Sequence, residues 1–150
     1  MVENLDSLKA QLGKEIGISG WLEMTQGRIN QFAKTTEDRQ WIHTDRERAG
    51  RESPYGTTIA HGFLTLSLFS RFLGELAQVR GGVRMSVNYG LNRVRFTSAV
   101  PAGSRIRARF GLAALKESAD FVDATYAVTV ERENEEKPCC LAEWIVRYYR

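Results

Sequence analysis

The stretch from Gly62 to Leu76, GFLTLSLFSRFLGEL, constrains this chain more than any other part of it. Wound as a helix, it is apolar on nearly every side, and only Arg71 and Glu75 interrupt it. A helix with no wet face has to be surrounded by other structure. It meets those two charges before reaching the about 20 residues that a bilayer crossing takes, so burial in protein is expected and membrane insertion is not. A chain of 150 residues, 43% of them hydrophobic, can bury one such helix in one core and is short for two. A single domain over residues 1–150 is the expectation.

The second half of the chain supplies something to wrap around that helix. Beyond Gly81-Gly82 the apolar period shifts towards two. In RIRARF (105–110) Ile106, Ala108 and Phe110 alternate with arginines. DATYAVTV (123–130) and LAEWIVRYY (141–149) alternate in the same way. One face of each such strand packs and the other is wet. The breaks at VPAGS (100–104) and ENEEKP (133–138) are short enough for hairpins, which predicts an antiparallel sheet and not βαβ units. The class is therefore α+β, an antiparallel β-sheet wrapped around a long central helix. Upstream, past a short apolar piece at Trp21-Leu22, Thr25 is placed to cap a helix through Ala33 that ends near Thr35-Thr36, with Ile29, Phe32 and Ala33 on one face. Asp45 is a second capping candidate, opening a turn from Arg46 to Ala49, and ESPYGTT (52–58) reads as loop. Asp38 and His43 then fall on connecting backbone.

Charge and cysteine usage exclude several classes. The two cysteines are the adjacent pair Cys139-Cys140, which cannot staple distant segments and offers no zinc spacing; a reducing, cytoplasmic setting fits. The N-terminal MVENLDSLKAQLGKEIG lacks the apolar core and small-residue cleavage site of a secretory signal. Net charge is only +3, but no Asp or Glu occurs from Leu76 to Lys116, where Arg80, Arg84, Arg93, Arg95, Arg105, Arg107, Arg109 and Lys116 all fall. Two readings follow: a site for an anionic, phosphate-bearing ligand, or arginines that keep the wet face of a sheet soluble.

The chemistry concentrates around the two histidines. Asp38 and His43, in EDRQWIHTD, pair a carboxylate with a group that titrates near neutrality, the parts needed to position a water and move its protons. In IAHGF, Gly62 opens the apolar helix and presents free backbone N–H groups where a developing oxyanion would be stabilised. A metal reading, with His43, Asp45 and His61 as a two-histidine, one-carboxylate set, conflicts with the capping role of Asp45 and would need His43 on a strand. Ser67 and Ser70 lie inside the helix without a glycine-flanked elbow, and Cys139-Cys140 have no histidine nearby in sequence, so nucleophilic catalysis is disfavoured. Neither a metal nor another cofactor is expected.

Taken together, FAKTTEDRQWIHTD (32–45), SPYGTTIAHGFLTLSLFSRFLG (53–74) and NYGLNRVRFTSAVPAGSRIRAR (88–109) resemble the MaoC-like dehydratases, a family that includes (R)-specific enoyl-CoA hydratases and has the hotdog fold. Gln40-Trp41-Ile42 before the histidine follows the nodulation-protein-N-like branch. The resemblance implies that Asp38 and His43 form the catalytic dyad, that Ser70 lines the same pocket, and that His61 braces the loop beside the Gly62 oxyanion site. It also implies a homodimer whose two sheets join, with an acyl-CoA thioester of fatty acid metabolism lying between subunits. The expected reaction is reversible hydration of a trans-2-enoyl thioester to an (R)-3-hydroxyacyl thioester. The other classes to be weighed are a hotdog acyl-CoA thioesterase, and a non-catalytic acyl-CoA or nucleic-acid binder that would use the basic segment alone. Nucleic acid is disfavoured because few aromatics interleave with those arginines.

Overall fold

A computed structural model describes residues 1–150. Five strands form the path of the main sheet: β2 (Glu15–Ile18), β6 (Arg105–Glu117), β7 (Phe121–Arg132), β8 (Cys140–Tyr149) and β5 (Met85–Arg95), in that spatial order and all antiparallel. The short β3 (Leu22–Glu23) also pairs with β6. A separate two-stranded parallel ladder joins β1 (Val2–Asn4) to β4 (Ala77–Gly81), and between β1 and β2 lies a short helix, α1 (Leu5–Lys9), closed by a capping box of Asn4 and Ser7. None of the elements before Trp21 was expected. All are short, and their pairing partners lie about seventy or more residues away along the chain.

The period-two pattern predicts the sheet's two faces correctly. Ile106, Ala108, Phe110 and Leu112 of β6, Val122 to Val130 at alternate positions of β7, and Trp144, Val146 and Tyr148 of β8 are buried, while the residues between them are half-buried or exposed apart from Asp123. Onto this concave face fold α5 (Gly62–Ser67) and α6 (Phe69–Gly74), with Phe69 meeting Phe110 and Trp144 edge-on. The buried Tyr126 and Tyr148 hydroxyls share one hydrogen bond at 2.6 Å, so each polar tip enters the core with a partner.

The central helix is not the single long element expected. It breaks at Leu68, where the Ser67 hydroxyl donates to the carbonyl of Leu64 at 2.7 Å. A serine bonding back into its own helix competes with the backbone ladder and bends it. No helix of the chain is long and apolar enough to cross a membrane.

The connection through VPAGS is also different from expectation. It is not a hairpin, because β5 pairs with β8 and β6 lies beyond β7 on the far side. Residues 96–104 instead cross the end of the sheet and lie against the loop before α5: Ala60 N–H donates to Val100 O (2.8 Å) and Ala102 N–H to Thr58 O (2.9 Å). ENEEKP does close a hairpin, between β7 and β8. The crossover matters because it becomes one wall of the site.

Candidate active site

Three segments converge at the N-terminal end of α5. The first descends from α2 (Gln26–Thr36), which Thr25 caps by accepting from Arg28 N–H, and which ends at Glu37 in the left-handed region (φ 64°). That turn throws the chain sideways, and Asp38 follows directly. His43 comes next, on a single helical turn, α3 (Trp41–Thr44), rather than on irregular backbone. Asp45 then caps α4 (Arg46–Glu52) by accepting from Arg48 N–H at 2.9 Å, as its position in sequence suggested.

His43 and His61 are both buried, at 7% and 3% exposure, whereas more than half of the Asp38 side chain is exposed. The imidazoles stack with centroids 3.8 Å apart and planes 23° from parallel. Their tautomers follow from their partners. His43 Nδ1 lies 2.7 Å from the carbonyl oxygen of Ile59, which only accepts, so Nδ1 carries the proton and Nε2 is left as a free base. His61 Nε2 lies 2.9 Å from the carbonyl of Asp38, so there Nε2 donates and Nδ1, which has no partner within the protein, is the bare nitrogen. Removal from water holds His43 below the ordinary histidine pKa, and His61 pushes the same way; the Ile59 hydrogen bond and Asp38 oppose it. A neutral imidazole ready to accept a proton is the result.

The Asp38 carboxylate reaches within 3.9 Å of His61 Nε2, and one ligand-type atom from each of Asp38, His43 and His61 lies within 4.8 Å of the others. Proximity alone would suit a cation. Stacked rings do not, because a bound metal must lie close to the plane of every imidazole that ligates it, and two nearly parallel rings 3.8 Å apart share no such point. Asp45, the carboxylate of the proposed triad, is committed to its cap.

His43 and Gly62 open onto a hollow of about 670 Å³, also lined by Tyr55, Thr65, the crossover residues Phe96 to Pro101, Arg132, Lys137 and Cys139. Gly62 is fixed as glycine by close approach: a Cβ there would stand 2.8 Å from the Phe96 ring. As the first residue of α5, its N–H has no acceptor inside the helix. Ser70 is not brought to this hollow. Eight residues beyond Gly62 and past the break at Leu68, it is exposed and lines a different concavity beside Ser86 and Asn88. Thr65, 2% exposed, supplies the helix hydroxyl here instead. Cys139 reaches the wall with its thiol pushed up to about 12 by burial, so it is no nucleophile.

Half of the cations of the acid-free segment are paired from outside it. Arg107 and Arg109 both pair with Glu131, Arg109 also with Glu15, Arg105 with Glu133 and Arg93 with Glu143. Their partners come from β2, β7, β8 and the turn after β7, so these four are surface ion pairs.

The fold is that of a hotdog protein with Asp38, His43 and His61 clustered near the N-terminus of α5, and comparison with known proteins gives the family. Residues 7–135 match the MaoC like domain, and the chain belongs to that family. It is 48% identical to 3-hydroxyacyl-thioester dehydratase Z of Mycobacterium tuberculosis over 97% of this chain and 96% of that one. It is also 48% identical to nodulation protein N of Rhizobium leguminosarum bv. viciae, over 95% and 89% of the two chains. Among solved structures, the (R)-hydratase of A. caviae covers 89% of this chain and 96% of its own at TM-score 0.66 and 24% identity. The monoamine oxidase regulatory protein of Archaeoglobus covers 99% and 95% at TM-score 0.79 and 22% identity, and at such identities the likeness speaks for the hotdog fold.

Proposed function

We propose that this chain is an (R)-specific hydratase of trans-2-enoyl-CoA, acting reversibly as a 3-hydroxyacyl-CoA dehydratase through Asp38 and His43. The class of enzyme, a hydratase or dehydratase of acyl thioesters, follows from the named activity of a relative 48% identical over nearly its whole length. One observation carries the residue assignment. The Ile59 carbonyl fixes the proton of His43 on Nδ1 and leaves Nε2 basic, on a ring that lines the hollow and has a nitrogen within 4.8 Å of the Asp38 carboxylate.

In this reading Asp38 and His43 hold a water against the β-carbon of the enoyl thioester. The water oxygen bonds to that carbon, the dyad takes up the water's proton, and a proton is delivered to the α-carbon. The product is an (R)-3-hydroxyacyl thioester. Negative charge on the thioester carbonyl meets the Gly62 N–H, a contribution of about 3 kcal/mol per donor in comparable oxyanion sites. His61 braces the turn through the Asp38 carbonyl. Lys137 on the same hollow, with Arg132 beside it although paired to Glu135 at 2.6 Å, supplies positive charge for coenzyme A phosphates.

A homodimer belongs to the same proposal. β5 is an edge strand with Met85, Val87, Tyr89 and Leu91 all exposed, and an apolar edge of that length invites pairing with a second copy.

The test is the decay of enoyl-thioester ultraviolet absorbance with trans-2-enoyl-CoAs of increasing chain length. Wild type should consume them, while Asp38→Asn and His43→Ala lose about a thousandfold in kcat without losing the fold. Variants as active as wild type would remove the dyad from the mechanism.

A further inference from the structure

We propose that Gln26 is the positioning residue that sets His43 for proton transfer, by clamping together the two chain segments that form the His43 ring hydrogen bond. The inference rests on the dyad reading above and extends it to a residue on another element that lies outside the hollow.

Gln26 is the first residue of α2, and its amide is fully used. Nε2 donates to the backbone carbonyl of His43 at 2.7 Å and to Asn30 Oδ1 at 2.9 Å, while Oε1 accepts from the Thr58 hydroxyl. The orientation of the amide is forced. A backbone carbonyl only accepts, so the nitrogen must face His43, the oxygen then faces Thr58, and Thr58 must donate. Thr58 is fully buried and immediately precedes Ile59, whose carbonyl receives the His43 Nδ1 proton. One side chain thus grips the donor's segment through His43 O and the acceptor's segment through Thr58. The backbone bond from Ile59 N–H to Ile42 O at 3.0 Å closes the same loop, and Ala102 N–H on Thr58 O ties it to the crossover.

Each of the two segments is short, α3 being a single turn and residues 53–61 irregular, so neither is rigid by itself. Removing the clamp lets the Nδ1–Ile59 bond lengthen. The imidazole can then place its proton on either nitrogen, and in the wrong tautomer Nε2 is no base. Misplacement of this kind lowers turnover without weakening binding.

Three variants test the clamp, each followed by two readouts: kcat and KM for enoyl-CoA hydration, and the proton resonance of His43 Nδ1–H, which a buried hydrogen bond to a carbonyl protects from exchange. Gln26→Glu keeps the acceptor for Thr58 but, ionised, cannot donate to His43 O; Thr58→Val removes the buried hydroxyl; Thr58→Ser restores it. The first two should lower kcat by about ten- to a hundredfold with KM within about twofold, and should broaden or abolish the His43 resonance. Thr58→Ser should recover both. Gln26→Glu and Thr58→Val that fold, turn over at the wild-type rate and keep the resonance would overturn the proposal, as would a loss expressed only in KM. If Gln26→Glu does not fold, Thr58→Val with Thr58→Ser decides by the same criteria. A wild-type protein without hydratase activity would sink the dyad reading and leave the clamp to be judged by the resonance alone, which needs no substrate.

Discussion

Asp123 and His43 are equally buried, each 7% exposed, yet their surroundings are opposite. Asp123 sits in β7 with both carboxylate oxygens bonded to Arg147 of β8, at 2.7 and 2.8 Å, and the guanidinium lies between the rings of Tyr89 and Phe121 at 3.9 and 3.7 Å. Every strong group in that cluster is matched. Around His43 the matching is incomplete: Nε2 is free, His61 Nδ1 has no partner in the protein, and Glu37 is held in a left-handed conformation. Satisfied polar groups make a scaffold stiff, whereas groups held in place with capacity to spare are what a reaction can draw on.

Substitutions that separate stability from turnover test this contrast most severely. His43→Ala should cost about a thousandfold in kcat while moving the melting temperature by no more than about 3 °C, because the imidazole it removes was itself desolvated at some cost. Asp123→Ala should do the reverse. It strands a guanidinium between two rings without its carboxylate, so the melting temperature should fall by roughly 3–8 °C with kcat per folded molecule unchanged. Calorimetry beside the absorbance assay measures both, and a His43 variant that melts far earlier than the Asp123 variant would invert the comparison.

Acid should erode the two regions in different windows. The folded pKa of His43 is depressed below 6.5, so the unfolded chain binds the proton first; stability falls as pH drops from about 6.5 towards the folded value, then levels. Asp123, depressed below 3.8 by Arg147, contributes stability that is complete above about 3.8 and disappears as pH falls through its folded value. The acid limb of kcat/KM should accordingly lie below 6.5. A limb above 6.5 would mean that charge pairing with Asp38, not desolvation, governs the imidazole.

Legibility in the sequence divides along the same line. The scaffold announces itself by repetition: alternate residues of β6, β7 and β8 reveal the buried face, and the apolar run at 62–76 reveals the helix. Asp38, His43 and Gly62 stand out in the sequence because their spacing and order form a motif, and the fold gathers Asp38 and His43 with His61. Thr65, Gln26 and Thr58 do not stand out, since a threonine inside a helix, a glutamine in a first turn and a threonine in a loop carry no period and meet this region only through partners distant in sequence. Ser70 was misplaced for a related reason. Its position in the helix was known, but the break at Leu68 that turns the following residues depends on the Ser67 hydroxyl, whose bond to Leu64 no spacing records. The crossover at 96–104 looked like a hairpin because length alone cannot tell which strands it joins.

The smallest effect concerns the strain beside the site. Glu37 adopts φ 64° and ψ 9° at the end of α2, a conformation that costs a residue with a Cβ about 1 kcal/mol and glycine almost nothing. Its side chain is exposed and makes no hydrogen bond that would repay this cost. Glu37→Gly should therefore stabilise the protein by about 1 kcal/mol, seen as a rise of about 2–4 °C in melting temperature. The same change frees the backbone immediately before Asp38, whose carbonyl anchors His61 and whose carboxylate works beside His43 in the proposed dyad, so kcat should fall by roughly two- to fivefold. A protein both more stable and slower is the signature of a turn held under strain to aim its neighbour. Glu37→Gly that melts earlier than wild type would mean the left-handed turn is already unstrained, and the contrast between site and scaffold would then rest on the histidines alone.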